Sequence, residues 1–134
     1  SVAAVADFKV ESPALSKIKK NGELKLSLEL SKTPDILLEI SKLKNGTKPF
    51  TVGFAAETEN LIKNAEKKLR EKGLDLIVAN NVSDPTIGFD SDLNEVTVLG
   101  HELNKSFPKS SKKTLARNLV AVIADKCLES IAYG

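Results

Sequence analysis

The chain contains few of the residues that build disulfides, metal sites or membrane spans. Among its 134 residues there are one cysteine, one histidine and one tyrosine, and there is no methionine or tryptophan. One cysteine cannot close an internal disulfide or complete a cysteine zinc site, and it fits a reducing compartment, so we expect a cytoplasmic protein. One histidine excludes any site that needs two. No apolar run approaches the roughly 20 residues of a membrane span, so we expect no membrane partner.

Charge and aromatic content limit the partners further. The chain has 20 Lys+Arg against 18 Asp+Glu, and 4% of its residues are aromatic. A DNA-binding domain usually has a clear basic surplus, and a platform for single strands needs aromatic rings. We therefore expect no nucleic-acid partner. The length and the 41% hydrophobic content suit one globular domain over residues 1–134.

Hydrophobic periodicity predicts alternating strands and helices. Continuous apolar runs are typical of strands covered on both faces, as in a parallel sheet, whereas the alternation over residues 23–30 predicts a half-buried antiparallel or edge strand. This order favours an α/β domain with a largely parallel sheet. The predicted strands are 2–6, 23–30, 50–55, 74–79 and 95–99, and the predicted helices are 36–43 after Thr33-Pro34-Asp35, 58–72 before Gly73, and 111–131 with Leu115, Leu119, Val122, Ile123 and Ile131 inward.

The segments between these elements are expected to be loops. Residues 9–22 are polar and basic, residues 80–94 form a long loop of the kind that is usually functional, and a polar loop precedes the last helix. The apolar run at residues 2–6 opens the chain with no lead-in segment. We therefore expect the N-terminal part of the fold to be missing.

Two groups of lysines are candidate anion sites. Lys17, Lys19 and Lys20 concentrate positive charge on one loop, which suits a polyphosphate if the loop closes; a solvated basic turn is the alternative. Lys68 and Lys72 lie one helical turn apart, where uncompensated like charges cost a few tenths of a kcal/mol. An anion between them would reverse that cost, and an exposed face of mixed charge is the alternative.

The segment 53–58 is a third candidate, because α/β proteins bind ligands where a strand passes into a helix. Its small residues let a ligand approach the backbone, but Glu57 and Glu59 would repel a phosphate there. We therefore expect this segment to meet an uncharged part of a ligand. Cys127 is expected to be a packing residue and His101 a surface residue, and a calcium-loop pattern that begins at Asp90 lacks the required glycine.

Taken together, several segments resemble the C-terminal part of bacterial phosphopantothenoylcysteine synthetase, also called phosphopantothenate–cysteine ligase. Nearly the whole chain is covered, and the order of the segments makes the resemblance specific. They are Ala3–Phe8, Lys17–Lys20, Pro34–Ile36, Val52–Thr58, Leu74–Asn80, Gly88–Asp92 and Asn94–Val96.

The resemblance implies a Rossmann-like, three-layer α/β fold with a flap and an antiparallel strand. It also implies an activity in coenzyme A biosynthesis, in which CTP activates 4′-phosphopantothenate as an acyl-cytidylate and cysteine then displaces CMP. CTP and Mg²⁺ are the expected ligands, and 4′-phosphopantothenate and cysteine the expected substrates. A homodimer is expected. In the parent chain a decarboxylase could be fused upstream, and FMN would belong to that part.

The resemblance also implies a set of site residues. Lys17 would reach the phosphates from the flap and assist activation as the catalytic residue, and Lys68 and Lys72 would hold the nucleotide from their helix. Phe54 would pack against the nucleotide. The resemblance names no metal ligand here. The remaining expected contacts are Ser1, Val2, Ala3 and Asp7 beside the nucleotide, and backbone groups of Pro34, Asp35, Ile36 and Leu37.

Some of the family's pattern is not found. Nothing here matches its opening glycine-rich turn or its Asn followed by Ser-Ser-Gly-Lys, and its usual Asn-Asp-Val reads Asn80-Asn81-Val82. We therefore expect the 134-residue chain alone to be inactive. Two other functions stay open on the sequence alone: half of a dinucleotide-binding oxidoreductase, and a non-catalytic module that binds a nucleotide or nucleic acid.

Overall fold

A computed structural model describes residues 5–19, 26–43, 48–83 and 91–133 of the chain. The chain forms two compact units, Ser1–Ile36 and Leu37–Gly134. The predicted strand at 2–6 lies outside the described residues except for Val5 and Ala6, which are not in a strand.

The first unit contains a small antiparallel sheet. Strand β1 (Phe8–Val10) pairs with β2 (Leu30–Lys32), and the Thr33 amide donates to the Asp7 carbonyl at 3.0 Å. The predicted loop is therefore wrong at Lys9 and Val10, although residues 11–19 are irregular as expected.

The predicted half-buried strand at 23–30 is also wrong over its described residues. Only Leu30 belongs to a strand, and the side chains of Leu26 and Leu28 are 65% and 58% exposed. Alternation of leucines predicts burial only if a second layer covers the apolar face. Both strands of this unit instead have exposed or half-buried residues throughout.

The second unit has a four-stranded sheet with the strand order β3-β4-β5-β6. Strands β3 and β4 are parallel, and the other two pairs are antiparallel. The elements after β2 are α1 (Ile36–Ser41), β3 (Val52–Glu57), α2 (Leu61–Glu71), β4 (Leu76–Asn81), β5 (Leu93–Gly100), β6 (Leu103–Ser111) and α3 (Lys112–Tyr133).

The α/β class is confirmed, but the sheet is mixed rather than largely parallel. The connection from β4 to β5 spans residues 82–92, which is shorter than the roughly 12 residues that a crossover to a parallel neighbour needs. A tight turn at His101 and Glu102 then joins β5 to β6, and Glu102 adopts a φ of 54° there. Both connections bring the next strand back in the opposite direction.

Strand β6 is another element that the sequence pattern missed, since a polar loop was expected there. Phe107 is its one buried residue, and most of its other positions are exposed. Pro108 lacks an amide proton, which suits an edge strand. An edge strand with a single buried side chain has too little apolar alternation to stand out from a loop.

Helices cover both faces of this sheet, so the predicted three layers are present. Beneath α3, large side chains of β4, β5 and β6 meet the helix, whereas beneath α2 three of the five buried residues are alanines. The α3 face buries Leu76, Val78, Val96, Val98, Phe107, Leu115 and Val122, and the α2 face buries Ala55, Ala65, Ile77, Ala79 and Leu99.

The two long helices keep most of their predicted bounds. Helix α2 begins at Leu61 after Asn60, not at the expected cap Thr58, and it ends at Glu71, one residue before the predicted Lys72 and ahead of the predicted stop Gly73. Gly73 has a φ of 57°, and its amide and that of Leu74 donate to Arg70 and Leu69 in a Schellman motif. Along α3 the predicted inward face is confirmed except for Ile131, whose side chain is 72% exposed.

Candidate functional site

The C-terminal end of β3 meets α2 in a cluster of three polar side chains. The ammonium of Lys68 donates to Glu57 Oε1 at 2.6 Å, and the Asn64 amide donates to Glu57 Oε2 at 3.1 Å. Asn64 and Lys68 are four residues apart, so they occupy one face of the helix. Strand alternation points Glu57 toward the same helix that Ala55 packs against. Local periodicity in both elements therefore brings the three groups together.

Exposure differs sharply between the two charged partners. The side chain of Glu57 is 13% exposed and that of Lys68 is 46% exposed. The hydrogen bond from Lys68 holds the pKa of the Glu57 carboxyl below its usual value, against the opposing effect of desolvation and with help from Asn64. The carboxylate is thus ionised at neutral pH, and the ammonium is the outer, more accessible charge.

The predicted pair Lys68 and Lys72 does lie on one helix end. Lys72 is half-buried at the C-terminal cap of α2, and its amide donates to the Lys68 carbonyl at 3.0 Å. The charge of Lys68 is compensated in the structure, because Glu57 forms an ion pair with it. The mixed-charge face proposed as the alternative also exists beside it, where Lys67 lies 3.8 Å from Glu71.

Phe54 lies on the other face of β3. Its ring is 71% exposed and lines an open apolar groove of about 320 Å³ between the sheet and α3. Leu119 and Ile123 supply the helical wall of this groove. Asn80 also lines it, and its buried Oδ1 has no hydrogen-bond partner in the part of the chain that the structure describes. The Phe54 ring and the Lys68 ammonium therefore lie on opposite faces of the sheet at β3.

The other predicted site residues lie outside the described residues, in the first unit, or around the start of α1. Ser1, Val2 and Ala3 lie outside the described residues. Asp7 and Lys17 are exposed in the first unit, so their convergence with Lys68 stays a prediction. Around the start of α1, Pro34 and Ile36 are exposed and Asp35 and Leu37 are half-buried. The predicted role of each residue as a nucleotide contact stays a prediction as well.

The sequence pattern missed Asn64 and the pairing of Glu57 with Lys68. That Glu57 would repel a phosphate placed directly beside it stays a prediction. The spacing of Asn64 and Lys68 on one helix face, just after a strand that ends in a carboxylate, is the signal that could have indicated the cluster.

The described residues lack a metal cluster and a membrane-spanning helix. None of their His, Cys, Asp and Glu side chains form a group of three or more that could hold a metal ion. No helix in the same ranges has the length and apolar character to cross a membrane. His101 is exposed at the turn between β5 and β6, as expected of a surface residue.

Known proteins resemble this chain over nearly its whole length. The Haemophilus influenzae "Coenzyme A biosynthesis bifunctional protein CoaBC" is 43% identical over 124 residues, which are 92% of this chain and 30% of that protein. The Escherichia coli K12 protein of the same name is 40% identical over 126 residues, 92% of this chain and 31% of its own length. The chain thus spans about three-tenths of these curated relatives.

Two solved structures share the fold. The crystal structure of the C-terminal domain of Coenzyme A biosynthesis bifunctional protein CoaBC matches with a TM-score of 0.65 and 33% identity, over 90% of this chain and 50% of that one. The DNA/pantothenate metabolism flavoprotein from Streptococcus pneumoniae has the same TM-score of 0.65 over 92% of this chain and 57% of that one, and at 21% identity it shows the fold alone.

A family model covers the chain as well. The model described as "DNA/pantothenate metabolism flavoprotein C-terminal domain" matches residues 1–127, which include Lys68, Lys72 and the Glu57 carboxylate that holds Lys68. The chain belongs to the DNA/pantothenate metabolism flavoprotein C-terminal domain family.

Proposed function

We propose that this chain supplies the nucleotide-holding part of a CTP-dependent phosphopantothenate–cysteine ligase in coenzyme A biosynthesis. The observation that carries the proposal is the half-exposed ammonium of Lys68 on α2. Glu57, the last residue of β3, holds it in a chain of this family. Its relatives are named for coenzyme A biosynthesis, and the sequence motifs resemble the synthetase part.

The proposed reaction has two steps. The carboxylate of 4′-phosphopantothenate attacks the α-phosphate of CTP, so that an acyl-cytidylate forms and pyrophosphate leaves. The amine of cysteine then attacks the acyl carbon: the amide C–N bond forms, the bond from the acyl carbon to the phosphate oxygen breaks, CMP leaves with that electron pair, and the nitrogen gives up its proton. The physical difficulty is that one anion must approach another, so fixed cations near the triphosphate lower the barrier.

The residues of this chain divide between charge and packing. Lys68 and Lys72 supply positive charge from the last turns of α2, and Lys17 supplies it from the first unit as the catalytic cation. Phe54 offers an exposed apolar ring against which a base or ribose packs. Backbone groups at Pro34, Asp35, Ile36 and Leu37, together with Ser1, Val2, Ala3 and Asp7, complete the proposed nucleotide contacts.

The proposal also includes Mg²⁺ with the nucleotide, and FMN and further partners in the parent chain. In the described ranges no group of three or more His, Cys, Asp and Glu side chains could hold a metal ion, so we expect Mg²⁺ to arrive with the triphosphate. A homodimer, a cytoplasmic location and a fused FMN-dependent decarboxylase in the parent chain are proposed from the resemblance.

A thermal-shift experiment tests the nucleotide site. With Mg²⁺ present, CTP should raise the melting temperature of the chain more than ATP does, because a ligand that binds only the folded state stabilises it. The double variant Lys68→Ala/Lys72→Ala should lose the CTP effect. Lys63→Ala/Lys67→Ala is the matched control, because it removes two lysines with the same spacing from the same helix. Equal shifts with CTP and ATP, or an unchanged CTP shift in the first double variant, would contradict the proposal.

A chimera tests the reaction. The matching segment of the Escherichia coli relative is replaced by residues 1–134, and the product 4′-phosphopantothenoylcysteine is measured with CTP, 4′-phosphopantothenate and cysteine. We expect product formation, and a loss of roughly 100-fold in rate for Lys17→Ala, as when one charge-stabilising donor is removed. A folded chimera that forms no product counts against the ligase assignment.

A further inference from the structure

We propose that Glu57 is a positioning residue, which with Asn64 holds the Lys68 ammonium where it meets the triphosphate. The inference rests on the proposed function, because the anion that Lys68 meets is the nucleotide named there. It goes further in giving Glu57 and Asn64, neither of which was among the predicted contacts, a role in that site.

The anchor of the cluster is the sheet. Glu57 is the last residue of β3 and pairs in register with Asn81 of β4, so its backbone is fixed by the parallel ladder. Asn64 donates to the Glu57 carboxylate at 3.1 Å and to the Glu59 carbonyl at 3.0 Å. The carboxylate is therefore oriented from the strand on one side and from the helix on the other before Lys68 binds to it.

Lys68 depends on this anchor for its position. A lysine ammonium is a point charge on a flexible four-carbon stem, and an unanchored one loses conformational freedom when a ligand orders it. The 2.6 Å contact with Glu57 imposes that order in advance. An ammonium has three N–H donors, and Glu57 Oε1 takes one of them.

The same carboxylate would repel a phosphate if it met the ligand directly. Exposure argues against that arrangement, because the Glu57 side chain is 13% exposed and the Lys68 side chain 46%. An anion that approaches from solvent meets the ammonium first. We therefore expect the ordering of Lys68 to outweigh the repulsion from Glu57.

Calorimetric titration of the 134-residue chain with CTP and Mg²⁺ tests whether the ordering of Lys68 outweighs the repulsion from Glu57. Glu57→Gln should weaken CTP binding about tenfold and Asn64→Leu about threefold, while Lys68→Met weakens it at least as much as Glu57→Gln. The double variant Glu57→Gln/Lys68→Met should bind no more weakly than Lys68→Met alone, because Glu57 acts through Lys68. Glu71→Gln is the matched control: it removes the carboxylate paired with Lys67 on the exposed face and should leave CTP binding unchanged.

Two results would overturn the positioning role. Tighter CTP binding by Glu57→Gln would mean that repulsion dominates. Additive losses in the double variant would mean that Glu57 acts independently of Lys68. Circular dichroism of each variant separates these outcomes from loss of fold.

Failure of the proposed function has a different signature. If the wild-type chain does not bind CTP, or if Lys68→Met binds it as the wild type does, the nucleotide assignment fails. The positioning role is then decided without ligand, by NMR exchange of the lysine ammonium protons. Slower exchange at Lys68 than at Lys67, lost in Glu57→Gln, supports it, and equal exchange at the two lysines in the wild type overturns it.

Discussion

Two clusters of an acid and a lysine lie at opposite ends of the parallel pair β3 and β4, and they differ in what the carboxylate holds. Before β4, Asp75 Oδ2 accepts from the Thr51 amide at 2.6 Å and from the Thr51 hydroxyl at 2.7 Å, with the Lys48 ammonium 3.6 Å away. After β3, the two oxygens of Glu57 accept from the side chains of Lys68 and Asn64.

The difference separates a structural carboxylate from one that positions a charge. Asp75 satisfies the polar groups of buried Thr51 and joins the starts of two strands, and Lys48 donates instead to the Gly73 carbonyl at 2.8 Å. Glu57 satisfies a lysine whose side chain is 46% exposed. Loss of Asp75 should therefore lower the free energy of unfolding, whereas loss of Glu57 should change the position of the Lys68 ammonium.

The largest effect is expected from displacing α2, which carries Lys68. Ala65 is fully buried against the small residues of the sheet, so Ala65→Leu overpacks this face and should cost about 3 kcal/mol of unfolding free energy. Ala116→Leu is the control, because Ala116 is exposed beside the open groove under α3, and it should change stability by at most about 0.5 kcal/mol. Urea denaturation measures both, and equal costs would contradict the difference between the faces.

Next comes Asp75→Ala, which leaves the amide and hydroxyl of buried Thr51 without their acceptor. The expected cost is about 2 kcal/mol, measured as a lower urea midpoint. Lys48→Met should cost clearly less, because the Lys48 ammonium lies 3.6 Å from Asp75 Oδ2 and donates to the Gly73 carbonyl, so its loss leaves Thr51 with its acceptor. If Lys48→Met lowered the urea midpoint more than Asp75→Ala does, the main role of Asp75 would be to hold a lysine, as Glu57 holds Lys68.

A smaller effect is expected from the pH dependence of Glu57. Its pKa is lowered from the usual 4.5 in the folded state, so its stabilising contribution is complete above pH 4.5 and is lost as the pH falls through the folded pKa. Glu57→Gln cannot make this contribution. The difference in unfolding free energy between wild type and variant should therefore be constant near neutral pH and shrink below pH 4.5. A difference that grows on acidification would show the opposite sign of shift.

The smallest effect is expected from exposed lysines of α2. Lys67→Met removes an ion pair whose side chains are 67% and 62% exposed, and stability should change by at most about 0.5 kcal/mol. Lys68→Met should raise the pKa of the Glu57 carboxyl, followed by NMR titration, whereas Lys67→Met should leave it unchanged. A rise in both variants would mean that Glu57 responds to general charge and not to its hydrogen bond.

The predictable part of the fold is the part in which local pattern and burial agree. The run at Leu76–Ala79 is buried on both faces of the sheet, and Gly73 ends α2 in a left-handed conformation. Strand β6 and the exposed leucines of the first unit were mispredicted, because apolar alternation reports burial only where another layer covers it. The direction of β5 is given by its antiparallel pairing with β4, which the pattern within one segment does not specify.

For the candidate site, too, the sequence predicts features within one element but not contacts between elements. Helical spacing alone places Lys68 one turn before Lys72, and a charge run marks Lys17. The partnership of Glu57 with Lys68 joins a strand end to a helix eleven positions later, and the position of Phe54 on the opposite face depends on the phase of β3 against both helices.

The amino-acid order by itself determined the helices α2 and α3, the central strand β4 and the neighbouring lysines of α2, because each follows from periodicity within one element. Only the tertiary structure decided that the sheet is mixed, that Ile131 faces solvent, and that Glu57 neutralises Lys68. These features depend on distances between elements, and such distances are set by the packing of small residues and by loop lengths rather than by the pattern of any single segment.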